Sequence, residues 1–430
     1  MTRQMKSSGV EWIGDIPEKW NVRKLFQVFT QVKNKNQGMV ETNLLSLSYG
    51  KIKQKNIETS FGLLPESFET YNIIDKNDIV LRLTDLQNDQ KSLRVGLSTQ
   101  RGIITSAYVT MRAKNPRMAP YLYYLLHTFD IEKGFYGMGD GVRQGLNWDE
   151  LKHLSFVLPS LSEQQKIADY LNEKCGAIDE IIAKMEQSVE EYKKLKQAAI
   201  TEAVTKGIRP NRKMKDSGIE WIGEIPEDWE TIKLRYLYRC QNGISKSADN
   251  FGHGYPFVSY KDVYDNDVLP TTVEGRCEAN EEERSRYSVQ KGDIFFTRTS
   301  ETIEEIGLTS ICLETIDNAT FAGFLIRCRP FTKKLIFGYS KYYTASSHLR
   351  FYFVKEMNLV IRASLSQDLL KNMKMLIPPL EEQKEIADYL DKKCAEIDTL
   401  IEKKQKFLTE LATYKKSMIY EYVTGKKEVA

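Results

Sequence analysis

Two long segments of the chain place apolar residues with the period of a coiled coil. In each segment the apolar positions mostly step by alternating intervals of three and four residues, an average of about 3.5. The first segment, from Ser162 to about Thr205, contains no proline, and at about 1.5 Å per residue such a helix would span on the order of 65 Å. The predicted seam consists of Leu171, Ile178, Ile182, Met185, Val189 and Tyr192 in the first segment and Leu390, Ile397, Ile401, Leu408 and Leu411 in the second. We expect the two helices to pack on each other; the alternative is that each packs only on its own globular domain.

The seam has two irregularities. Lys174 and Cys175 stand where one apolar step of the first segment is missing, and Lys404 stands where Met185 stood in the first copy. Cys175 and its counterpart Cys394 lie inside the apolar stripe, so we expect both to act as small buried apolar residues.

The helical signature occurs twice because the chain contains an internal repeat. Residues 5–25 (MKSSGVEWIGDIPEKWNVRKL) return nearly unchanged at 214–234, and residues 158–182 (LPSLSEQQKIADYLNEKCGAIDEII) return at 377–401. The second pair is further apart than the first, so the intervening segments differ in length as well as in sequence. This pattern indicates a symmetric frame that carries two different modules.

The repeat boundaries predict five parts. They are a first domain (1–157), a long helix (158–206), a basic linker (207–216), a second domain (217–376) and a second long helix (377–430). The predicted fold class is therefore α+β, with two similar mixed domains, each followed by a long α-helix.

Each domain is predicted to contain short strands in matching positions. A turn leads into a first strand at 78–84 and at 292–299, both rich in β-branched or aromatic residues. A second strand is predicted at 94–97 and at 305–308. A third shared marker precedes the hinge into each helix; it reads VRQGL at 142–146 and IRASL at 361–365.

Composition is that of an ordinary globular protein and decides little about function. The chain has 430 residues, of which 41% are hydrophobic and 28% charged, and a net charge of +3 leans only slightly towards nucleic acid. No apolar run approaches 18 residues and the N-terminus has no signal-like core, so we expect a cytoplasmic protein.

Catalytic motifs are weak. The six cysteines and four histidines show no zinc spacing, and the sequence has no GxxxxGK[ST] phosphate loop. Phe135–Gly139 (FYGMG) matches the FxGxG loop that binds S-adenosylmethionine, but the preceding residues 121–126 predict a helix where that loop needs a strand. We therefore expect no catalytic residue, no bound cofactor and no metal in this chain.

Several repeated motifs carry a resemblance. The EWIGxIPExW opening, the GDIxxxRT-type strand, the LPxLxEQxxIAxYL hinge and the VTGK at 423–426 are together similar to the specificity subunit of type I restriction-modification systems. The resemblance implies two target-recognition domains and an antiparallel coiled coil of the two helices with pseudo-twofold symmetry. It also implies double-stranded DNA and two methyltransferase subunits as partners and allows two restriction subunits in addition, with S-adenosylmethionine, ATP and Mg²⁺ bound only by partners.

Two different modules predict a bipartite, asymmetric DNA target with an unread gap, because identical modules would read a symmetric one. Candidate DNA contacts are polar or basic side chains in loops and at strand ends. They are Lys51, Lys53, Arg82, Thr84, Arg94, Arg101, Arg143 and Gln144 in the first domain and Ser259, Tyr260, Lys261, Arg298, Thr299, Arg350 and Arg362 in the second. We favour Arg143 and Arg362, which share one repeat position; at a shared position we expect contacts to the DNA backbone or within the fold rather than base reading. Any single surface arginine is more often solvated or ion-paired.

Two other functions are compatible with parts of the pattern. A stand-alone DNA methyltransferase or nuclease would catalyse a reaction by itself, whereas a structural coiled-coil connector would not bind DNA. The missing cofactor motif disfavours the first, and the divergence of the two modules disfavours the second.

Overall fold

The computed structural model describes residues 3–55, 67–86, 89, 91–138, 145–300, 305–356 and 363–429. The chain forms two compact units: unit 1 comprises Met1–Glu186 with Lys406–Ala430, and unit 2 comprises Gln187–Gln405. Each unit contains one mixed domain and a part of both long helices, which agrees with the predicted α+β class. Within the described ranges, no helix has the length and apolar character needed to cross a membrane.

Unit 1 is built from short strands and few helices. The strands are β1 (Met5–Ser7), β2 (Asp15–Pro17), β3 (Asn21–Lys24), β4 (Phe29–Gln31), β5 (Leu45–Ser48), β6 (Lys51–Gln54), β7 (Asn72–Ile74), β8 (Ile79–Leu81), β9 (Val95–Leu97), β10 (Gly102–Ile104), β11 (Val109–Ala113) and β12 (Ser155–Leu158). The helices are α1 (Leu25–Val28), α2 (Ala119–Ile131), α3 (Trp148–Leu151) and α4 (Leu161–Lys206), of which residues 161–186 belong to unit 1.

Unit 2 repeats this plan with more helix. Its strands are β13 (Met214–Asp216), β14 (Glu224–Pro226), β15 (Glu230–Lys233), β16 (Tyr238–Asn242), β17 (Phe251–Val258), β18 (Arg276–Cys277), β19 (Ile294–Thr297), β20 (Thr299–Ser300), β21 (Thr309–Ile311), β22 (Thr320–Phe321), β23 (Leu325–Pro330), β24 (Ala363–Ser364) and β25 (Lys374–Ile377). Its helices are α5 (Tyr260–Tyr264), α6 (Glu281–Arg286), α7 (Phe337–Ala345), α8 (Ser347–Glu356), α9 (Gln367–Asn372) and α10 (Leu380–Val423), which continues into unit 1.

The central sheet of unit 1 is antiparallel, with the strand order β4-β11-β8-β9 and a fully buried β8. Asn77, two residues before β8, has a φ of 72°; asparagine tolerates this left-handed conformation, which turns the chain sharply into the sheet. The adjacent Asp78 is buried, and its two oxygens each accept a hydrogen bond from Arg112 on β11 at 2.7 Å. This paired buried charge fixes β8 against its neighbour.

The central sheet of unit 2 has the equivalent order β16-β23-β19-β21. Gly292, with a φ of 93°, takes the place of the turn-forming asparagine. The buried Asp293 then accepts from Arg329 on β23 at 2.6 and 2.7 Å. The predicted second strand at 305–308 was wrong: Gly307 has a φ of 68° and forms a turn, so the strand begins only at Thr309.

The two long helices run antiparallel in unit 1. The Tyr422 hydroxyl on α10 donates to the Tyr170 hydroxyl on α4 at 3.2 Å, and Lys415 Nζ donates to Asp179 at 2.6 Å. As the residue number increases along α4, the residue number of its contact on α10 decreases.

The same direction holds in unit 2. Lys196 on α4 donates to Asp398 on α10 at 2.7 Å, and Lys404 Nζ lies 5.5 Å from the centre of the Tyr192 ring. The aliphatic part of a lysine side chain can cover apolar surface while its ammonium group faces an aromatic ring. Lys404 can therefore occupy a seam position although its side chain ends in a charged group.

The predicted seam positions face the interior. Leu171, Ile178, Val189, Leu390 and Ile397 are buried, and Ile182, Met185, Tyr192, Ile401, Leu408 and Leu411 are half-buried. Cys175 and Cys394 are each 5% exposed, so the prediction of small buried apolar residues is confirmed. Leu171 and Leu390 also belong to the core of the domain before each helix. Each long helix therefore pairs with the other long helix along one part of its length and packs on the domain that precedes it along another part.

The far end of each long helix closes a domain core. The Tyr121 hydroxyl donates to the carbonyl oxygen of Val423, at the end of α10, at 2.9 Å in unit 1. In unit 2 the end of α4 takes the corresponding place, where the Tyr339 hydroxyl lies 3.4 Å from the carbonyl oxygen of Val204. Each domain is thus enclosed by two helices, one that follows it and one that ends on it.

The residues of the predicted linker, 207–216, are held by ion pairs and a strand. Arg209 donates to Glu385 at 2.8 and 2.9 Å, and Arg212 pairs with Glu382. The last three linker residues form β13. Arg209 and Arg212 therefore bind the first turns of α10 within unit 2.

Candidate nucleic-acid interface

Two segments that carry candidate side chains meet at the end of the buried central strand in each unit. In unit 1 the backbone N–H of Leu146 donates to the carbonyl oxygen of Leu83 at 2.9 Å. In unit 2 the N–H of Leu365 donates to the carbonyl oxygen of Arg298 at 2.8 Å. Leu146 and Leu365 occupy the same repeat position, and so do the two acceptors. In each unit this bond therefore brings the end of the central strand beside the marker segment (VRQGL or IRASL), although the two lie far apart in the sequence.

Arg143, Gln144 and Arg362 lie outside the described residues, so their DNA contacts stay predictions. The structure does describe the end of the marker segment IRASL in unit 2, where Ser364 on β24 pairs with Thr299 on β20. This pairing fixes Thr299 beside the marker segment.

Arg82 and Thr84 follow β8 directly and reach the surface of unit 1. Thr84 is exposed, and a guanidinium nitrogen of the partly exposed Arg82 lies 3.5 Å from Asp89. A single, partly exposed ion pair of this length contributes little stability, so Arg82 can exchange Asp89 for a phosphate or a base edge.

Arg94 is completely buried, which disfavours the predicted DNA contact. Its guanidinium donates to the carbonyl oxygens of Arg82 and Thr84 at 3.0 and 2.8 Å and to the Tyr136 hydroxyl at 3.1 Å. These bonds use the donors of Arg94 to shape the loop that presents Arg82 and Thr84. The sequence cannot distinguish such a supporting arginine from a surface arginine, because burial depends on the fold.

Lys51 and Lys53 lie on β6 of the β5–β6 hairpin and are both exposed. Lys51 Nζ is 3.8 Å from Asp179 on α4. The hairpin turn is Tyr49–Gly50, with φ values of 47° and 74°, as a type I′ turn requires. Tyr49 at its tip is 74% exposed and was missed by the sequence reasoning, although a Tyr-Gly pair between alternating strands was a usable signal.

Arg101 is exposed and ion-paired. It donates to Glu41 at 3.1 Å and to Asp75 at 2.9 Å. A DNA contact by Arg101 therefore requires that these interactions be exchanged.

In unit 2, Ser259 and Tyr260 have local structural contacts. Ser259 caps α5, because its hydroxyl oxygen accepts the N–H of Asp262 at 3.3 Å. Tyr260 stacks on Tyr264 with ring centres 6.0 Å apart. Lys261, next to them, is exposed and is the one of these three candidates whose side chain points to solvent.

Arg298 and Arg350 differ in their surroundings. The side chain of Arg298, at the end of β19, is half-buried and makes no ion pair or hydrogen bond within the part of the chain that the structure describes. Arg350 donates to the carbonyl oxygen of Ile306 and lines a cavity of about 350 Å³. Arg298 is therefore the better placed of the two for a new partner.

The FxGxG segment is described only in part. It follows helix α2, as predicted, and Phe135 is completely buried in the core of unit 1. Gly139 lies outside the described residues. Across the described ranges, no group of three or more His, Cys, Asp or Glu residues is placed to hold a metal ion.

Two histidines are buried, one in each unit. Burial lowers the pKa of His127 to about 4, helped by the positive charges of Lys415 and Lys416, and burial lowers the pKa of His348 to about 3. Both rings are therefore neutral near pH 7. They therefore contribute no positive charge to the candidate interface.

Each unit also exposes apolar residues on the outer faces of its helices. Unit 1 exposes Ile181 on α4 and Phe407 and Tyr414 on α10, and unit 2 exposes Leu195 on α4 and Leu400 on α10. Leu400, Phe407 and Tyr414 are spaced by one heptad, and Ile181 and Leu195 fall on the corresponding repeat positions. The sequence reasoning missed this second stripe, which a search for two seams per helix could have found.

Comparison with known proteins adds the family. A family model for the type I restriction modification DNA specificity domain matches residues 17–191 and again residues 226–410. The two copies cover most of the chain. The chain belongs to the type I restriction-modification DNA specificity family. The resemblance inferred from the repeated motifs is thereby confirmed.

Relatives of this specificity subunit match over nearly their full length. It is 28% identical to the putative type I restriction enzyme MjaX specificity subunit of Methanocaldococcus jannaschii, covering 97% of this chain and 96% of that one. It is 25% identical to the MjaVIII specificity subunit of the same organism, covering 96% and 94%. A solved chain from a study of complex assembly and conformational transition of the type I R-M system has a TM-score of 0.70 at 18% identity, covering 96% of this chain and 99% of that chain, which supports the fold.

Proposed function

We propose that this specificity subunit recognises a bipartite, asymmetric sequence in double-stranded DNA, one part with each of its two domains. The observation that supports this proposal is that the end of the central strand lies beside the marker segment in both units. The backbone arrangement is the same in the two units, because the N–H groups of Leu146 and Leu365 donate to carbonyl oxygens at matching positions. The side chains beside it differ, so the two domains present different donors to DNA.

The difference between the domains is large enough to give two different recognition patterns. Unit 1 presents Arg82 and Thr84 with a lysine-bearing hairpin, whereas unit 2 presents Arg298 and Thr299 with the short helix α5 at the position of that hairpin. Base edges are distinguished by the positions of donors and acceptors, while phosphate contacts set position and affinity. An asymmetric target with two half-sites follows from this difference.

The exposed apolar stripes support a second role, as a scaffold for methyltransferase subunits. Exposed apolar residues at heptad spacing on a helix are typical of a surface that another helix covers. Unit 1 and unit 2 carry these residues at matching repeat positions, which favours two copies of one partner. We propose two methyltransferase subunits held by an antiparallel coiled coil, with up to two restriction subunits added to the complex.

In this assembly the chain itself is non-catalytic. Adenine methylation with S-adenosylmethionine and ATP-driven cleavage with Mg²⁺ are assigned to the partner subunits. The complex acts on DNA in the cytoplasm.

The decisive experiment exchanges one domain and maps the methylated sequence. Residues 217–376 are replaced by the corresponding domain of another specificity subunit, and the hybrid is produced with the methyltransferase subunit. We expect one half of the methylated motif to change while the other half stays the same. Changes in both halves, or in neither, would overturn the assignment of one half-site to each domain.

The scaffold role is tested by the mass of the complex purified from its native cells. Native mass spectrometry should give one copy of this chain with two methyltransferase-sized subunits, with or without larger restriction subunits. A lone chain or a simple homodimer would contradict the proposed assembly. Methylation or cleavage by the purified chain alone would favour a stand-alone enzyme instead.

A further inference from the structure

Two cysteines face each other across neighbouring strands in the central sheet of unit 2. Cys240 on β16 is the direct antiparallel partner of Cys328 on β23, and their sulfur atoms are 2.9 Å apart. Directly opposed residues in an antiparallel pair have Cα atoms about 4.5–5.5 Å apart, inside the range of about 4.4–6.8 Å that a disulfide accepts. An opposed pair of this kind therefore has a Cα separation that a disulfide can span, and both thiols are free.

The two thiols have different surroundings. Cys328 is completely buried, whereas Cys240 is half-buried. The hydrogen bond from Cys328 lowers the pKa of the Cys240 thiol, and the positive charge of Lys371 lowers it further. A thiolate at Cys240 is the nucleophilic form, and it has a buried second thiol in contact with it.

The remaining cysteines provide a contrast within the same chain. Cys175, Cys277, Cys312 and Cys394 are buried, and burial raises the pKa of each thiol, that of Cys312 to about 12. Buried thiols with raised pKa values react slowly. The distinction between the pair and the other four comes from position in the sheet, because the sequence spacing of Cys240 and Cys328 carries no signal.

We propose that Cys240 and Cys328 form a reversible oxidation site that is converted to a disulfide by hydroperoxides. The Cys240 thiolate attacks one peroxide oxygen, the O–O bond breaks, and the leaving hydroxide takes up a proton as water, which leaves a sulfenic acid on Cys240. The Cys328 sulfur then attacks the Cys240 sulfur; the S–S bond forms, the S–O bond breaks and the second water leaves with the Cys328 proton. Two thiols and one hydrogen peroxide thus give one disulfide and two waters.

The bond would tie the edge strand β16 to the strand that supports the candidate interface. Cys328 also pairs with Ile294 on β19, the strand that leads to Arg298. The N–H of Arg298 in turn donates at 2.9 Å to the carbonyl oxygen of Phe324, directly before β23. Oxidation therefore fixes the sheet behind the proposed DNA-contacting strand end, without touching the side chains proposed to meet DNA. The oxidation site itself does not depend on the proposed function.

The test treats the full-length protein with hydrogen peroxide, blocks remaining thiols with N-ethylmaleimide and maps the peptides by mass spectrometry. We expect a Cys240–Cys328 peptide pair that has lost two hydrogens and disappears on treatment with dithiothreitol. The oxidised protein should also melt at a higher temperature than the reduced protein, because the cross-link restricts the unfolded chain. Before oxidation, Cys240 should react with the maleimide at least about tenfold faster than Cys312.

Three single variants serve as controls. Cys240→Ser and Cys328→Ser should each abolish the cross-link, while Cys312→Ser, a buried cysteine outside the pair, should retain it. Circular dichroism of the reduced proteins establishes that each variant is folded; if Cys328→Ser is not, Cys240→Ser at the half-buried position decides alone. Two maleimide-labelled cysteines after oxidation, or over-oxidation of Cys240 without a linked peptide, would overturn the proposal.

Discussion

The indole N–H of Trp20 donates to Glu163 at 3.0 Å, and in the second repeat Trp229 donates to Glu382 at the same distance. Each tryptophan belongs to the opening motif and each glutamate to the first turn of a long helix. An arginine pairs with each glutamate as well. The bond therefore joins the two segments that the repeat preserves best, and it fixes the start of each helix on its own domain.

The two bonds differ in burial, which predicts unequal costs of removing the charge. The side chain of Glu382 is 0% exposed and that of Glu163 is 25% exposed. Glu382→Gln leaves Arg212 without its buried counter-charge, so we expect a loss of about 2–3 kcal/mol in the free energy of unfolding, against about 1 kcal/mol for Glu163→Gln. Urea unfolding followed by tryptophan fluorescence measures both. Glu381→Gln, at an exposed neighbouring position, is the control and should change stability by less than about 0.5 kcal/mol.

We expect an aspartate substitution to affect stability at one of two neighbouring isoleucines on α4 and partner binding at the other. Ile182 is a half-buried seam residue and Ile181 is exposed on the outer stripe. Ile182→Asp places an unpaired charge in the seam and should cost about 2–3 kcal/mol of stability. Ile181→Asp should leave the unfolding free energy nearly unchanged but weaken binding of the proposed methyltransferase subunit. Denaturant unfolding and size-exclusion chromatography of the mixed subunits separate the two effects.

The corresponding pair on α10, Leu400 and Ile401, provides an independent repetition. We expect Leu400→Asp to affect assembly and Ile401→Asp to affect stability, because their exposure follows the same order. The double variant Ile182→Asp with Ile401→Asp should lose the partner subunits together with its stability. If the double variant kept both its partner subunits and its stability, the prediction that Ile182 and Ile401 lie in a coiled-coil seam would be wrong.

The buried histidines predict a loss of stability in mild acid. The pKa of His127 is lowered to about 4 in the folded protein by burial and nearby lysines, while in the unfolded chain it is about 6.5. The unfolded state therefore binds more protons between these values, and stability falls as the pH drops from about 6.5 towards 4. We expect this histidine to contribute a loss of about 2–3 kcal/mol over that range.

His127→Gln provides the check, because glutamine does not titrate. The pH profile of its unfolding free energy should be flatter between pH 4 and 6.5 than that of the wild type. Equal slopes for this variant and the wild type would show that His127 is accessible to protons in the folded protein.

Arg298 predicts the clearest effect on DNA binding among the described residues. Arg298→Ala in the assembled complex should weaken binding to target DNA by about 1–3 kcal/mol, with a smaller salt slope if the contact is to phosphate. Lys291→Ala is a charge-matched control, because Lys291 is exposed at the opposite end of β19; it should leave affinity unchanged. The same loss is expected for Arg143→Ala and Arg362→Ala. Equal affinities and salt slopes for all variants would remove these arginines from the interface.

Arg94→Ala tests the difference between a supporting and a contacting arginine. It removes a buried guanidinium that holds the loop around Thr84, so we expect lower stability of the protein without DNA. Arg82→Ala, at the partly exposed position, should change stability little and DNA affinity more. A loss of affinity in Arg94→Ala at unchanged stability would reverse these roles.

The repeat and the helices could be predicted because they depend on local periodicity. The seam positions from Leu171 to Leu411 are buried or half-buried, since a heptad pattern determines which face of a helix is apolar. The strand before Arg82 was also predictable from its turn and β-branched residues. Arg94 could not be assigned correctly, because its role is set by carbonyl groups that only the folded loop brings together.

The candidate site was harder to predict because its parts are joined by tertiary contacts. Leu83 and Leu146 meet through one backbone bond, and no local pattern indicates that pairing. Ser259 is different: a serine followed three residues later by an aspartate is the sequence signature of a helix cap, and its capping contact was readable in advance. Tyr49 was overlooked although its hairpin turn was visible in the sequence.

The contact between Tyr121 and the end of α10 also constrains the order in which the protein can fold. Unit 2 is one continuous stretch, Gln187–Gln405, whereas unit 1 needs residues from both before and after it. During synthesis, unit 2 therefore has all of its parts before the first domain receives Met418, Ile419 and Val423, which are buried in its core. Such long-range closure is slow and leaves apolar surface open in the meantime. The earliest-made domain is consequently the last to be completed, and it is the part of the nascent chain that most needs protection from aggregation.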